Sequence, residues 1–128
     1  LVASTEVVPA GVSVAVLKTV KEVINGENVL RVFTNIYNPE NAVVEESGII
    51  VLPGSVYDSL ADKAFTADSI KELPAGYSLT INSSVNANQM LVTYAGIAKD
   101  VRRVVRAYAK FGGEYNYNVE GAIADIQF

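Results

Sequence analysis

Arg103-Val104-Val105-Arg106-Ala107-Tyr108-Ala109-Lys110-Phe111-Gly112-Gly113-Glu114-Tyr115-Asn116-Tyr117-Asn118-Val119 is the stretch that decides the fold. Successive side chains of a strand point to opposite faces, so the alternation before and after the glycines marks two strands. Gly112-Gly113 reads as the turn between them. Both central residues of a type I′ turn need positive φ, which glycine adopts without steric cost. A two-residue loop fixes the register: Phe111 faces Glu114, Lys110 faces Tyr115, Tyr108 faces Tyr117 and Arg106 faces Val119. One side of the hairpin then carries Val105, Ala107, Ala109 and Phe111. The other carries Arg106, Tyr108, Lys110, Tyr115 and Tyr117.

The same pattern extends upstream. Gly11 to Val23 is rich in β-branched residues, with Val12, Val14 and Val16 at period two, and Asn25-Gly26-Glu27-Asn28 is a turn signal. A strand from Val29 to Tyr37 returns antiparallel and ends at Asn38-Pro39-Glu40-Asn41, because proline has no N–H to give a ladder. Val43 to Leu52 is a third strand, whose run Ile49-Ile50-Val51-Leu52 predicts burial on both faces before Pro53-Gly54 stops it. Ser55 to Leu73 is the least β-like segment and predicts a short helix or turn over Ser55 to Lys63. Tyr77 to Val85 alternates again, and Met90 to Tyr94 follows across an Asn-rich link (Asn86, Asn88) that reads as a hairpin connection. With no long period of 3.6 residues, the expectation is an all-β, antiparallel, two-sheet immunoglobulin-like sandwich with at most one short helix. Its expected core includes Val14, Val16, Leu30, Val32, Ile50, Leu52, Leu79, Ile81, Val105, Ala107 and Ala109. Residues 1–10 read as an extension or linker and residues 11–128 as one sandwich domain.

Composition narrows function. Half of the 128 residues are apolar, enough to build a core, and the formal charge of −4 with no basic block makes nucleic acid a poor partner. The chain has no Cys and no His, so it has no thiolate nucleophile, no imidazole base, no disulfide and no metal site of the usual N/S type. Leu1-Val2-Ala3-Ser4-Thr5-Glu6 has no Met, basic region or apolar run, which reads as a processed or excised module without a membrane span.

Arg106-Ala107-Tyr108-Ala109-Lys110, Gly112-Gly113 and Glu114-Tyr115-Asn116-Tyr117 resemble the last two strands of bacterial extracellular immunoglobulin-like and fibronectin type III-like modules. Leu30-Arg31-Val32-Phe33-Thr34, Glu45-Glu46-Ser47-Gly48-Ile49-Ile50-Val51-Leu52-Pro53 and Tyr94-Ala95-Gly96-Ile97 widen the resemblance to residues 12–122. Such modules occur in surface or dockerin-bearing proteins of anaerobic Gram-positive bacteria. The resemblance implies a secreted or cell-surface accessory module, in some cases cellulosomal, with no catalytic residues to carry over. This chain departs from the pattern in having no Trp.

Tyr108, Tyr115 and Tyr117, flanked by Arg106 and Lys110, form the strongest candidate ligand surface, because flat rings on a sheet stack on sugars and cations bond their hydroxyls. The plainer reading of the same residues is cross-strand packing. Lys99, Arg102, Arg103, Arg106 and Lys110 make a basic stretch suited to an acidic partner or to a solvated strand face. Glu45-Glu46 fails as a glycosidase dyad, because adjacent strand residues point apart. Asp58, Asp62 and Asp68 are candidate Ca²⁺ ligands without the Asp-rich loop that would specify one. Lys18 or Lys21 with Asn116 or Asn118 suggests an isopeptide pair, and Asn82-Ser83-Ser84 matches a glycosylation sequon. The expectation is a non-catalytic structural or protein-interaction module that needs no cofactor and contacts neighbouring modules or another surface protein. The alternative is a carbohydrate-binding module that holds polysaccharide on the tyrosine side.

Replacing Gly112 or Gly113 by Val should lower the melting temperature through a loss of about 1–2 kcal/mol or more, because an L side chain resists the left-handed region. Unchanged thermal melts would contradict the hairpin register.

Overall fold

The computed structural model describes residues 13–117 and 123–128. The expectations placed on residues 1–12, the pairing of Arg106 with Val119, and Asn118 lie outside the described residues, as does the side chain of Val16.

Strands β1 (Ser13–Ile24) and β2 (Glu27–Tyr37) are joined by Asn25-Gly26, whose φ values of 51° and 80° are those of a type I′ hairpin. On its other side β2 pairs with β5 (Gln89–Ile97), which completes a sheet of order β1-β2-β5. The second sheet runs β4 (Leu79–Asn82), β3 (Glu46–Pro53) and β6 (Arg102–Phe111). The far edge of β6 is shared by β7 (Glu114–Tyr117), along its C-terminal half, and β8 (Ala124–Gln127), along its N-terminal half. Every strand pairing is antiparallel. Helix α1 (Gly54–Ser59) and a 3₁₀ turn (Ser69–Glu72) lie between β3 and β4. The result is an all-β sandwich, and no described helix is long and apolar enough to cross a membrane.

The terminal hairpin has the register its glycines require. Phe111 is opposite Glu114, Lys110 opposite Tyr115 and Tyr108 opposite Tyr117, with φ of 60° and 79° at Gly112 and Gly113. The Asn86–Asn88 link differs from the expected hairpin connection. Asn86 and Gln89 do exchange backbone hydrogen bonds of 2.8 and 3.0 Å. The turn nevertheless moves the chain between sheets, because β4 pairs with β3 whereas β5 pairs with β2.

Between the sheets lie Val14, Leu30, Val32, Ile49, Val51, Met90, Val92, Val105, Ala107 and Ala109, all buried. Leu79 is 45 % exposed instead, since it sits on a four-residue edge strand flanked by β3 alone. A second cluster occupies the outer face of the β3–β6 pair: Ile50, Leu52, Val104 and Tyr108 pack under Val56 of α1 and Phe65. Segment 54–73 is thus a roof, and the central residues of both β3 and β6 are buried on both faces. The apolar run of β3 predicted this. The alternation of β6 left its second side either a ligand surface or a packed one, and the roof packs on it at Val104, Arg106 and Tyr108.

Gly48 makes the junction of β3, β4 and β6 possible. A Cβ there would lie 2.0 Å from the backbone oxygen of Ile81, so β4 approaches β3 only because residue 48 has no side chain. Gly48→Ala should therefore cost about 1–3 kcal/mol by overpacking. Chemical denaturation, with amide exchange at Leu79–Asn82 as the local readout, checks this.

Candidate functional site

The candidate ligand residues do share one side of the terminal hairpin, yet they are not equally accessible. Even positions of β6 point away from the inter-sheet core, which sends Val104, Arg106, Tyr108 and Lys110 toward the roof. Tyr108 is 1 % exposed. Its hydroxyl donates to Glu46 Oε2 at 2.8 Å and contacts Asn82 Oδ1, and its ring meets Tyr115 edge-on with centroids 5.6 Å apart. Burial, reinforced by the Glu46 carboxylate, pushes the phenol well above its ordinary pKa. Tyr108 is therefore a neutral, hydrogen-bonded core residue.

Arg106 is 7 % exposed. Its Nη1 donates to the Phe65 carbonyl at 2.9 Å, and its guanidinium lies 4.3 Å from the centroid of the Tyr117 ring. Burial lowers its pKa from the usual arginine range, and the arginine keeps its charge with a carbonyl and a ring face in place of a described carboxylate. Tyr117 accepts the backbone N–H of Ala67 at 2.7 Å, so it too is fastened to the roof. Desolvation raises its pKa, opposed by that N–H and by Arg106.

Only Lys110, Tyr115 and Tyr117 reach solvent, in a shallow cleft of about 530 Å³ whose opposite wall is Thr66, Asp68 and Lys71. Lys110 Nζ lies 5.2 Å from the Tyr115 centroid and so occupies part of the surface on which a sugar would stack. Lys71 is paired with Asp68 at 3.3 Å. The five expected residues therefore divide into two buried fastenings, Arg106 and Tyr108, and three cleft residues.

The other sequence candidates are dispersed. Glu46 binds Tyr108, whereas Glu45 accepts the Gly113 N–H at 3.2 Å on the hairpin turn. Asp58 belongs to an ion-pair cluster on Arg102, Asp62 accepts the Ala64 N–H, and Asp68 faces Lys71, so the three acids share no site. No described group of carboxylates is arranged to hold a metal ion. Lys21 donates to the Gln127 carbonyl at 2.7 Å, and Asn116 to the Glu114 carbonyl. The basic stretch is likewise divided: Arg102 is paired, Arg103 donates to the Arg102 carbonyl and Arg106 is enclosed. In the sequon, Asn82 is engaged by the Tyr108 hydroxyl.

Sequence reasoning missed three contributors. Phe65 is buried and supplies both a ring and the carbonyl that receives Arg106; its position amid Val56, Leu60 and Ile70 was the available signal. Asp125 lies on β8, a strand too short to stand out from its alternation. The third is an Asn-rich groove of about 730 Å³ at one end of the sandwich, walled by Asn38, Asn41, Glu45, Asn82 and Asn88. It is polar, with the carboxylates of Glu45 and Glu46 in its lining and no aromatic wall. No protein-family model matches the chain, and no curated protein matches it.

Arg102 carries the one dense exposed ion-pair cluster among the described residues. It bonds Asp125 through Nε (2.7 Å) and Nη2 (2.6 Å) and Asp58 through Nη1 (2.6 Å), so it joins α1 to β8. The guanidinium holds both carboxyls below their usual range. A carboxylate with a lowered folded pKa stabilises the fold above the unfolded value of about 3.9, and that contribution is lost as pH falls through the folded value. Melting temperature should therefore drop below about pH 4 more steeply in the wild type than in the Asp58→Asn, Asp125→Asn double variant. Superimposable acid profiles would show that the cluster contributes nothing.

Proposed function

We propose that the chain is a non-catalytic structural or protein-interaction module of a secreted or cell-surface bacterial protein, related to the immunoglobulin-like and fibronectin type III-like modules its sequence resembles. The observation that carries this reading is the enclosure of Arg106 and Tyr108. The side chains with the most chemistry to offer a ligand are instead bonded to Phe65, Glu46 and Asn82. Strand order supports it too, since three strands in the order β1-β2-β5 face β4-β3-β6-β7, and interleaved sheets of this kind typify the immunoglobulin-like sandwich. The absence of His and Cys supports a non-catalytic role, as it removes the commonest bases and nucleophiles. Neighbouring modules or another surface protein are the partners such a scaffold would contact.

The cleft of Tyr115, Tyr117 and Lys110 supports a second reading, weak polysaccharide binding. Lys110 over the Tyr115 ring counts against it. In affinity electrophoresis against plant and cell-wall polysaccharides the wild type should run without retardation. The triple variant Tyr108→Ala, Tyr115→Ala, Tyr117→Ala should melt far earlier. Tyr108 alone should cost about 3–5 kcal/mol as a buried aromatic, against about 0.2–1 kcal/mol for an exposed cross-strand pair. Retardation of the wild type that disappears in Tyr115→Ala at unchanged melting temperature would overturn the scaffold reading.

A further inference from the structure

An asparagine side chain is open to attack by the backbone nitrogen of the next residue when that N–H is unbonded, the next side chain leaves room and the chain can turn. The fold withholds the first condition along most of the sequence. The N–H after Asn35 donates to the Asn88 carbonyl at 2.8 Å, that after Asn82 to the Ser47 carbonyl at 2.8 Å and that after Asn88 to the Asn86 carbonyl at 3.0 Å. Ala42, which follows Asn41, donates to Asn38 Oδ1 at 2.9 Å. Asn38 precedes Pro39, which has no N–H, and Asn28 precedes the β-branched Val29. Some side chains are held as well: Asn28 donates to the Ala98 carbonyl at 3.3 Å, Asn116 to the Glu114 carbonyl at 3.1 Å, and Asn82 meets the Tyr108 hydroxyl.

Asn25 meets all three conditions. Gly26 lies inside the two-residue loop between the paired Ile24 and Glu27, so its N–H belongs to no ladder pair, and it has no Cβ to obstruct approach. Every residue from Val23 to Glu27 is exposed. The hairpin is tied down only short of its tip. Lys21 of β1 donates to the Gln127 carbonyl at 2.7 Å, and the pairing of β2 with β5 ends at Asn28. Beyond those ties the hairpin is a bare two-stranded ribbon, which is marginal in water and opens locally while the sandwich stays folded. Opening lets the Asn25 backbone leave its turn conformation, at φ 51°, and bring the Gly26 nitrogen onto the side-chain carbonyl carbon.

We propose that Asn25 is a site of spontaneous covalent modification that rewrites the β1–β2 turn. The Gly26 backbone nitrogen gives its proton to water and attacks Asn25 Cγ. The N–Cγ bond forms, the Cγ–Nδ2 bond breaks, and ammonia leaves with a proton from water. Water then opens the cyclic imide, with no oxidant or reductant involved. Cleavage at Cγ yields aspartate in the original backbone. Cleavage at the main-chain carbonyl yields isoaspartate, whose backbone runs through Cβ and Cγ. Aspartate adds a negative charge near Glu27. Isoaspartate lengthens a loop whose two residues set the register of β1 against β2, so that hairpin no longer closes as a type I′ turn.

The proposal stands apart from the scaffold reading and its polysaccharide test. Incubating the folded chain in mildly alkaline buffer and mapping its peptides by mass spectrometry should show amide-to-acid conversion at Asn25 ahead of every other described asparagine, with isoaspartate among the products. Asn82, whose following N–H is bonded in the fold, should convert in guanidinium but not in the native chain. Asn25→Gly leaves a Gly-Gly turn like that of the terminal hairpin and should abolish the early conversion at unchanged melting temperature. In the isoaspartate form, amide exchange should quicken at Ile24 and Glu27 while Val32 and Val92 stay protected. A folded chain that keeps Asn25 intact while the unfolded chain converts there would overturn the proposal. So would native conversion of Asn41 or Asn82 as fast as that of Asn25, or an isoaspartate hairpin whose exchange is unchanged.

Discussion

The structure depends on one constraint, that β6 is covered on both faces. Its odd positions, Val105, Ala107 and Ala109, must be small or branched to let the facing sheet approach. Of its even positions, Tyr108 is bonded through its hydroxyl and Arg106 through Nη1, while the buried Arg106 Nε has no hydrogen-bond partner among the described residues, at a cost of about 1–3 kcal/mol. The roof segment supplies part of what they need. The Phe65 carbonyl lies over Arg106, the Ala67 N–H meets Tyr117, and Glu46 and Asn82 receive Tyr108 from strands on the same sheet. Removing the roof would therefore expose the apolar outer cluster to water and take the Phe65 carbonyl from Arg106.

This enclosure takes Arg106 and Tyr108, the residues with the richest chemistry, out of contact with solvent. An arginine under a carbonyl and a tyrosine ring is held by cation–π attraction and one hydrogen bond, with no approach for an anion through the ring that covers it. A phenol that donates to a carboxylate is harder to ionise than a free one, so Tyr108 is fitted to be a stable donor and unsuited to act as a base. What the hairpin shows to solvent is its Gly112-Gly113-Glu114 turn and the half-buried Tyr115 and Tyr117, with Lys110 over the Tyr115 ring.

Local chemistry made some elements legible and geometry at a distance hid others. Asn25-Gly26 and Gly112-Gly113 each dictate a tight turn, and a tight turn dictates register, so the pairing of Tyr108 with Tyr117 followed from residues adjacent in the chain. The four-residue apolar run of β3 likewise announced burial on both faces. Nothing in Arg106-Ala107-Tyr108 announces a roof, because its cover comes from Phe65, 41 residues away, through a backbone carbonyl that any residue type could provide. Leu79 misled for the opposite reason: its apolar side chain fits a core, but the edge position of its strand leaves it exposed. The Asn-rich link reads the same whether a turn joins two paired strands or two sheets, since both need positive φ at Ala87 and Asn88.

The far end of β6 shows how the roof is tied to the rest of the fold. β7 and β8 share one edge, so β8 holds only four residues of β6 and buries little besides Ile126. Backbone pairing over so short a length is weak by itself. Arg102 compensates by gripping Asp125 of β8 with two nitrogens and Asp58 of α1 with the third. Since α1 begins the roof, the same guanidinium fixes both the last strand and the first turn of the segment that seals Arg106. These ion pairs are exposed and each is worth little alone, but one side chain of β6 makes all of them. One exposed cation of β6 thus holds the last strand and the first helix to the same side chain.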